Sequence, residues 1–249
     1  MYTLNETMED YYARLNFEAK RTFLIGNRGK INFIYNKSRK YVKNASTACE
    51  VGIGDGYMLR LLYNSGLKVA GIDISNYVVN RLRDQFYEKE FDIELIQGDF
   101  SRINLQTNKF DLFFCLDVLE HIVNLRKAIE NIKNNLSIGG LLIVTLPLNE
   151  NLNNKMVMCP KCHNKFHRIG HYHSFDSIEE IHQLLGPEFK IIQMGDVNPI
   201  SKPSEVIYHI GRNIWKHIFR NKTPRTIYFI AKFNPPNPKD VTCLHGLMY

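Results

Sequence analysis

The sequence predicts an α/β chain built on a doubly wound, mostly parallel, seven-stranded Rossmann-like sheet, and three observations carry that prediction. A short apolar run from Cys49 enters three glycines at alternate positions, Gly52, Gly54 and Gly56, and passes directly into an apolar helical pattern. Strand-type runs then alternate with helical ones through residue 146, the order that winds a parallel sheet with helices on both faces. Finally, 249 residues with 44% hydrophobic and 23% charged side chains are enough to bury a full α/β core and are too apolar for a disordered chain.

The elements follow in chain order. Residues 8–17 and 29–42 read as helices, the second with Ile31, Ile34, Tyr35 and Tyr41 among basic neighbours, and they form an N-terminal helical cap over 1–45. The main domain spans 46–233. Strands are expected at 69–73, 93–100 and 139–147, with a further strand and its exit loop over 110–121, and crossover helices at 56–63, 76–88 and 123–136. A further helix at 176–185 is started by Asp176 or Ser177 and stopped by Gly186-Pro187, and 189–194 and 226–233 supply the last two strands. Two inserts interrupt this order: 150–175, rich in Cys and His, and 200–222, a basic amphipathic helix. The proline-containing segment 234–249 reads as a flexible tail.

The glycine turn predicts a ligand. Glycine lets the backbone approach a bound molecule more closely than any Cβ permits, and the following helix N-terminus faces that molecule. A dinucleotide fingerprint wants its third glycine at position 57, where Tyr57 stands, so a dehydrogenase reading is disfavoured. Glu50-Val51-Gly52-Ile53-Gly54-Asp55-Gly56 instead resembles the first motif of class I S-adenosylmethionine-dependent methyltransferases. Three later segments match that family's order of parts. Val69-Ala70-Gly71-Ile72-Asp73 resembles the strand whose terminal acid holds the ribose hydroxyls, 21 residues after Gly52. Ile93 to Phe100 resembles the strand whose acid, here Asp99, faces the adenine amino group with Phe100 beside the ring. Phe110 to His121 resembles the fourth strand and the loop under the methionine end of the cofactor. The resemblance implies S-adenosyl-L-methionine held by Glu50, Gly52, Gly54, Gly56, Asp73, Ile74, Asp99, Phe100 and Leu116. An aspartate at a strand end also caps a helix without any ligand, so Asp73 and Asp99 keep that alternative. Cys115, in an apolar run, reads as a packed core thiol.

The 150–175 insert carries its own signal. Cys159-Pro160-Lys161-Cys162 has the spacing of a metal knuckle, and His163, His167, His171 and His173 follow within eleven residues. Cys159, Cys162, His167 and His171 form the preferred tetrahedral set for a structural zinc ion, with His163 and His173 as alternates. A redox pair and an unmetallated loop are the competing readings. The motif also resembles inserts in some bacterial small-molecule members of the same methyltransferase family.

Charge bears on the acceptor. Residues 1–45 hold nine Lys/Arg against four Asp/Glu and residues 201–249 hold eight against two, so the basic excess lies in the flanks while the middle is net acidic. An anionic acceptor, or an anionic membrane surface touched peripherally, fits that distribution; so does basic surface that only aids solubility. The Asn/Asp-Pro-Pro-aromatic motif of base-amino methylation is missing after the fourth strand, and so is a Pro-Cys nucleophile, which leaves nucleic acid disfavoured as substrate. Asp117-Val118-Leu119-Glu120-His121 looks more like members acting on small molecules, including quinone precursors and surface-polysaccharide sugars. His121 is the candidate base, or else a capping or buried histidine, with Glu120 and Tyr11 or Tyr12 as further acceptor contacts. No apolar run reaches membrane-spanning length, and five cysteines without an extracellular framework suggest the cytoplasm. A cofactor-binding scaffold subunit without turnover is the non-enzyme alternative.

Overall fold

The computed structural model describes residues 21–105, 109–158, 160, 162–197 and 225–236, the side chains from 27 onward. The expected helix at 8–17, Tyr11, Tyr12, Cys159, the 200–222 helix and all but the first residues of the tail lie outside the described residues.

Seven strands form one sheet in the order β3-β2-β1-β4-β5-β9-β8. Here β1 is Thr47–Val51, β2 Lys68–Asp73, β3 Ile93–Gln97, β4 Phe110–Leu116, β5 Leu136–Leu148, β8 Phe189–Asp196 and β9 Arg225–Phe233. The pairs β1–β2, β2–β3, β1–β4 and β4–β5 are parallel, whereas β9 runs antiparallel between β5 and β8. The order reverses between β1 and β4, and open α/β sheets bind ligands at such a reversal, beyond the carboxyl ends of the strands.

The helices are α1 (Arg21–Val42), α2 (Tyr57–Tyr63), α3 (Asn76–Tyr87), α4 (Leu125–Asn135) and α5 (Ile178–Leu185). Helix α1 already includes Arg21, eight residues before the expected start; β5 starts three residues earlier and β3 ends three residues earlier than expected, and the other boundaries move by at most two residues. Local caps explain the starts. Ser75 Oγ accepts from the Val78 amide, Asn124 Oδ1 from the Lys127 amide and Ser177 Oγ from the Glu180 amide, each satisfying an otherwise orphaned helical donor. At α5, the Glu180 carboxylate reaches back to the Asp176 amide, and Gly186 ends the helix.

Two apolar layers sandwich the sheet. Ile34 of α1, Met58, Leu59 and Leu62 of α2 and Val79 and Leu82 of α3 pack on one face with Phe114 and Ile143. Ala128, Ile129 and Ile132 of α4 and Ile181 and Leu185 of α5 cover the other face with Phe113, Cys115 and Val144. Consecutive residues 113 and 114 thus feed opposite layers, as the two-residue period of a strand requires, and each fully buried phenylalanine contributes about 1.5–3 kcal/mol. Cys115 is a core thiol, its pKa raised by burial and then by Glu50 and Glu120.

After β5 the chain leaves the sheet and returns at one point. Leu148 bridges Phe175, and the Asn149 amide donates to the Phe175 carbonyl at 2.8 Å. Between them lie a 3-10 turn at Leu152–Lys155 and a short hairpin, β6 (Met156–Met158) against β7 (Lys165–His167). Sequence reading gave this region as a polar knuckle and missed the hairpin, because three-residue strands fall below the length at which alternation is readable.

Candidate functional site

The glycine loop is built from the backbone outward. Gly52, Gly54 and Gly56 all have positive φ, at 75°, 50° and 67°. At Gly52 the space is occupied as well: a Cβ there would lie 2.3 Å from Val118 Cγ2, so the loop and the segment after β4 meet only because the side chain is absent. No atom lies within 4 Å of where a Gly54 Cβ would project, which leaves exposed backbone facing open space.

Asp73, at the end of β2, folds over this loop. Its Oδ2 accepts from the Ile53 amide at 3.1 Å and its Oδ1 from the Ser75 amide at 2.9 Å. Neighbouring Ile74 is 51% exposed, an apolar side chain held at the mouth of the site, and Gln97 Nε2 donates to its carbonyl. Glu50 sits beneath the loop, 3% exposed, with Oε2 lacking any hydrogen-bond partner. Burial, then Asp55 and Asp73, push its carboxyl well above the usual range. An orphaned buried carboxyl oxygen under a glycine cradle fits the ammonium group of an amino-acid-bearing cofactor.

At the adenine end, Asp99 and Phe100 have protein partners of their own. Asp99 Oδ1 accepts from both the amide and hydroxyl of Ser101, and Oδ2 pairs with Arg102 at 3.2 Å, so this half-buried carboxylate organises its own turn. Phe100 is 4% exposed and packs against Phe113 in the core, with ring centroids 6.1 Å apart. Its ring is covered by protein on the side of α4, where Asn131 also ties the Phe100 carbonyl, and it offers no open face to stack on a purine. Leu116, at the end of β4, is only partly buried.

The cap helix closes on the loop. Arg28 pairs with Asp55 at 3.2 Å and lies over the Tyr57 ring, and Tyr57 hydroxyl donates to Asn32. Lys30 pairs with Asp117 just after β4, whose other oxygen accepts from Thr145 Oγ1 at 2.7 Å. Asp117 adopts φ 55°, stabilised by those contacts and by its own amide donating to the Thr145 carbonyl. Two of the basic side chains read from the N-terminal flank therefore stand at the site.

Beyond Asp117, the turn Leu119–His121 meets the 150–175 insert. The Tyr172 and His173 amides both donate to the Glu120 carbonyl, at 2.8 and 3.3 Å. Glu120 is 1% exposed, and its Oε2 has no partner; burial, then Asp117, push its carboxyl up to about 8. His121 donates from Nδ1 to the Gly170 carbonyl at 3.1 Å, and partial burial and then His171 lower its pKa, so its ring is neutral near pH 7. His171 donates from Nδ1 to Glu150 Oε2 at 2.5 Å. Burial alone would raise the Glu150 pKa, but hydrogen bonds from Lys155 and His171 outweigh it and hold the carboxyl below its usual range.

The histidines expected to bind zinc are brought together, but without Cys162. His167 and His171 stack with centroids 4.9 Å apart. Among the described residues, two groups have ligand atoms within 4.8 Å of one another, Glu120-His121-His171 and Glu150-His167-His171. Neither contains a cysteine; Cys162 is exposed in the hairpin turn, beside exposed His163. His173 commits Nε2 to the Ile122 carbonyl at 2.8 Å. Glu150, which no motif singled out, is the residue that sequence reading missed, because its partners lie 5 and 21 positions away.

Residues 49–144 match the family model described as a methyltransferase domain. A ubiquinone biosynthesis O-methyltransferase of Coxiella burnetii is 24% identical over 108 residues, 41% of this chain and 46% of that protein, so the chain spans about half the length of the curated relatives it matches. An S-adenosylmethionine-dependent methyltransferase from Clostridium acetobutylicum superposes with a TM-score of 0.60 at 17% identity, covering 84% of this chain and 92% of that one. An O-methyltransferase from a trans-AT PKS multienzyme of Brevibacillus brevis, solved with S-adenosyl-L-homocysteine, gives 0.58 at 15% identity over 97% and 84%. Residues 49–144 therefore resemble a methyltransferase domain, and the described residues share the fold of these solved structures. No helix among the described residues is long and apolar enough to cross a membrane.

Proposed function

We propose that this methyltransferase domain binds S-adenosyl-L-methionine and moves its methyl group to an oxygen or nitrogen of a small anionic metabolite, such as a phosphorylated sugar or a surface-polysaccharide precursor. The single observation that carries the cofactor half is the cradle of positive-φ glycines with Asp73 hydrogen-bonded across it and the orphaned Glu50 oxygen beneath. When bound, the cofactor supplies an electrophilic methyl group on its sulfonium. Gly52 and Gly54 present backbone to the ligand, Asp73 faces the ribose hydroxyls, Glu50 the amino group, and Ile74 shields the purine from water.

On the acceptor side, the protein's work is alignment and exclusion of water. His121 is held by the Gly170 carbonyl in the tautomer that leaves its Nε2 lone pair unprotonated, so it can accept a hydroxyl proton from the acceptor. Arg28 and Lys30 on α1 stand at the site as ion pairs with Asp55 and Asp117, and an anionic acceptor would compete with those carboxylates for them. An oxygen acceptor, quinone or lipid precursors included, is favoured by one observation: the matching relatives are named as O-methyltransferases. Calorimetry with S-adenosyl-L-homocysteine tests the cofactor half. Single-turnover transfer of labelled methyl to a panel of phosphorylated sugars, catechol-type quinone precursors and RNA tests the acceptor half. Affinity with no transfer to any of them would leave a scaffold subunit as the better description.

A further inference from the structure

Two buried polar atoms near the acceptor side have no partner among the described residues, Glu120 Oε2 and His167 Nε2. They belong to adjoining groups that share His171. The hydrogen bonds around them decide which group can accept a ligand. In Glu150-His167-His171 the donors are already spent on one another: Glu150 Oε2 accepts from His171 Nδ1, Glu150 Oε1 from Lys155 at 2.6 Å, and His167 Nδ1 from the His171 amide at 3.0 Å. His167 therefore carries its proton on Nε2 and has no lone pair to offer there.

Glu120-His121-His171 is arranged the other way. A carbonyl accepts from Nδ1 of His121 and a carboxylate from Nδ1 of His171, so Nε2 is the nitrogen that each ring has left to offer a ligand. The two rings meet edge to face with centroids 4.6 Å apart. Beside them stands the unpartnered Glu120 oxygen, on a residue 1% exposed. One ligand atom from each of the three residues thus lies within 4.8 Å of the others, and the buried Glu120 oxygen lacks the partner that a bound cation would supply.

We infer that Glu120, His121 and His171 are the protein ligands of a divalent first-row transition-metal ion, with Glu150 and the Gly170 carbonyl as the outer groups that orient the two imidazoles. Two imidazoles and one carboxylate suit Zn2+, Co2+ or Mn2+ better than the all-oxygen preference of Mg2+ or Ca2+. A carboxylate-histidine-metal relay through Glu150 fixes the His171 tautomer and raises its basicity as a ligand. His121 is the exposed member, so the positions left open face solvent on its side of the cluster. The site stands on these contacts alone; its role in acidifying an acceptor hydroxyl rests on the function proposed above, and there the ion replaces His121 as the agent that draws off the proton.

The full chain, stripped with a chelator and dialysed against Zn2+ or Co2+, tests the assignment by elemental analysis and by the visible spectrum of bound Co2+. One ion per chain is expected, without a thiolate-to-cobalt charge-transfer band, and the stoichiometry should survive Cys159→Ser/Cys162→Ser. Glu120→Gln, nearly isosteric, and His171→Ala should each lower affinity at least about tenfold, and Glu150→Gln about 10–100-fold through its effect on His171. No ion retained by the wild-type chain, a strong thiolate band that disappears with the cysteine pair, or undiminished affinity in both ligand variants would overturn it. Should the ligand variants fail to fold, the wild-type cobalt spectrum and the cysteine double variant still decide between nitrogen-oxygen and sulfur ligation. S-adenosyl-L-homocysteine affinity, measured on the same samples, reports separately on the glycine loop, so a failed cofactor site and a failed metal site give different results.

Discussion

The two sides of the site are held by different kinds of bond. At the glycine loop, Asp73 grips the Ile53 and Ser75 amides, and three glycines place the backbone itself where a ligand would lie. At the insert, side chains meet side chains or distant carbonyls, as His121 does with Gly170, 49 positions on, and His171 with Glu150. Backbone geometry tolerates almost no substitution, whereas a side-chain cluster can be rebuilt residue by residue while the sheet stays intact. The first arrangement suits a ligand shared by a whole family; the second suits one that differs between members.

The sharpest way to break this contrast is Gly52→Ala. Positive φ costs about 1–3 kcal/mol for a residue with a Cβ, and the collision with Val118 adds to it. Calorimetry should find S-adenosyl-L-homocysteine binding lost, and the melting temperature should fall by about 2–4 °C for each kcal/mol. Asp73→Asn comes next: exchanging charge-assisted for neutral hydrogen bonds should weaken the same ligand by about 10–100-fold, corresponding to about 1.5–3 kcal/mol. Unchanged affinity would remove Asp73 from the pocket.

Glu50 gives a smaller effect with a definite sign. Its folded pKa is raised, so its contribution to stability is fully present below the ordinary carboxyl pKa and is lost as pH rises through the folded value. Glu50→Gln should therefore melt higher than wild type at mildly alkaline pH, the gap closing in acid. The wild-type affinity for S-adenosyl-L-homocysteine should also rise with pH across that window while the variant stays flat; parallel melting curves at all pH values would contradict the burial described here. Least affected should be ligand affinity in Phe100→Leu. This core change should cost about 1 kcal/mol in thermal unfolding and shift cofactor binding less than about twofold. A large loss of affinity would return Phe100 to the adenine pocket.

Much of the architecture was legible because its signals are local. Glycine spacing, a strand ending in Asp73 and the alternation through β5 lie in short windows, and Ser177 and Gly186 marked both ends of α5. What escaped reading depended on partners far along the chain. Phe100 follows an acid at a strand end, yet the packing of Phe113 and α4 turns it into the core. The histidines of the insert were visible, but two of their partners were not: among the described residues the fold brings Glu120 and Glu150 to them, and Cys159 lies outside those residues. A buried carboxylate leaves no periodic mark in a sequence.

The closure at Leu148 and Phe175 has an evolutionary consequence. Because the arm departs from and rejoins the sheet at a single pinch, its length and content can change without shifting the register of β5 or the start of α5. Such an arm behaves as an exchangeable cassette: swapping it between relatives should transplant acceptor preference while the nucleoside end remains untouched.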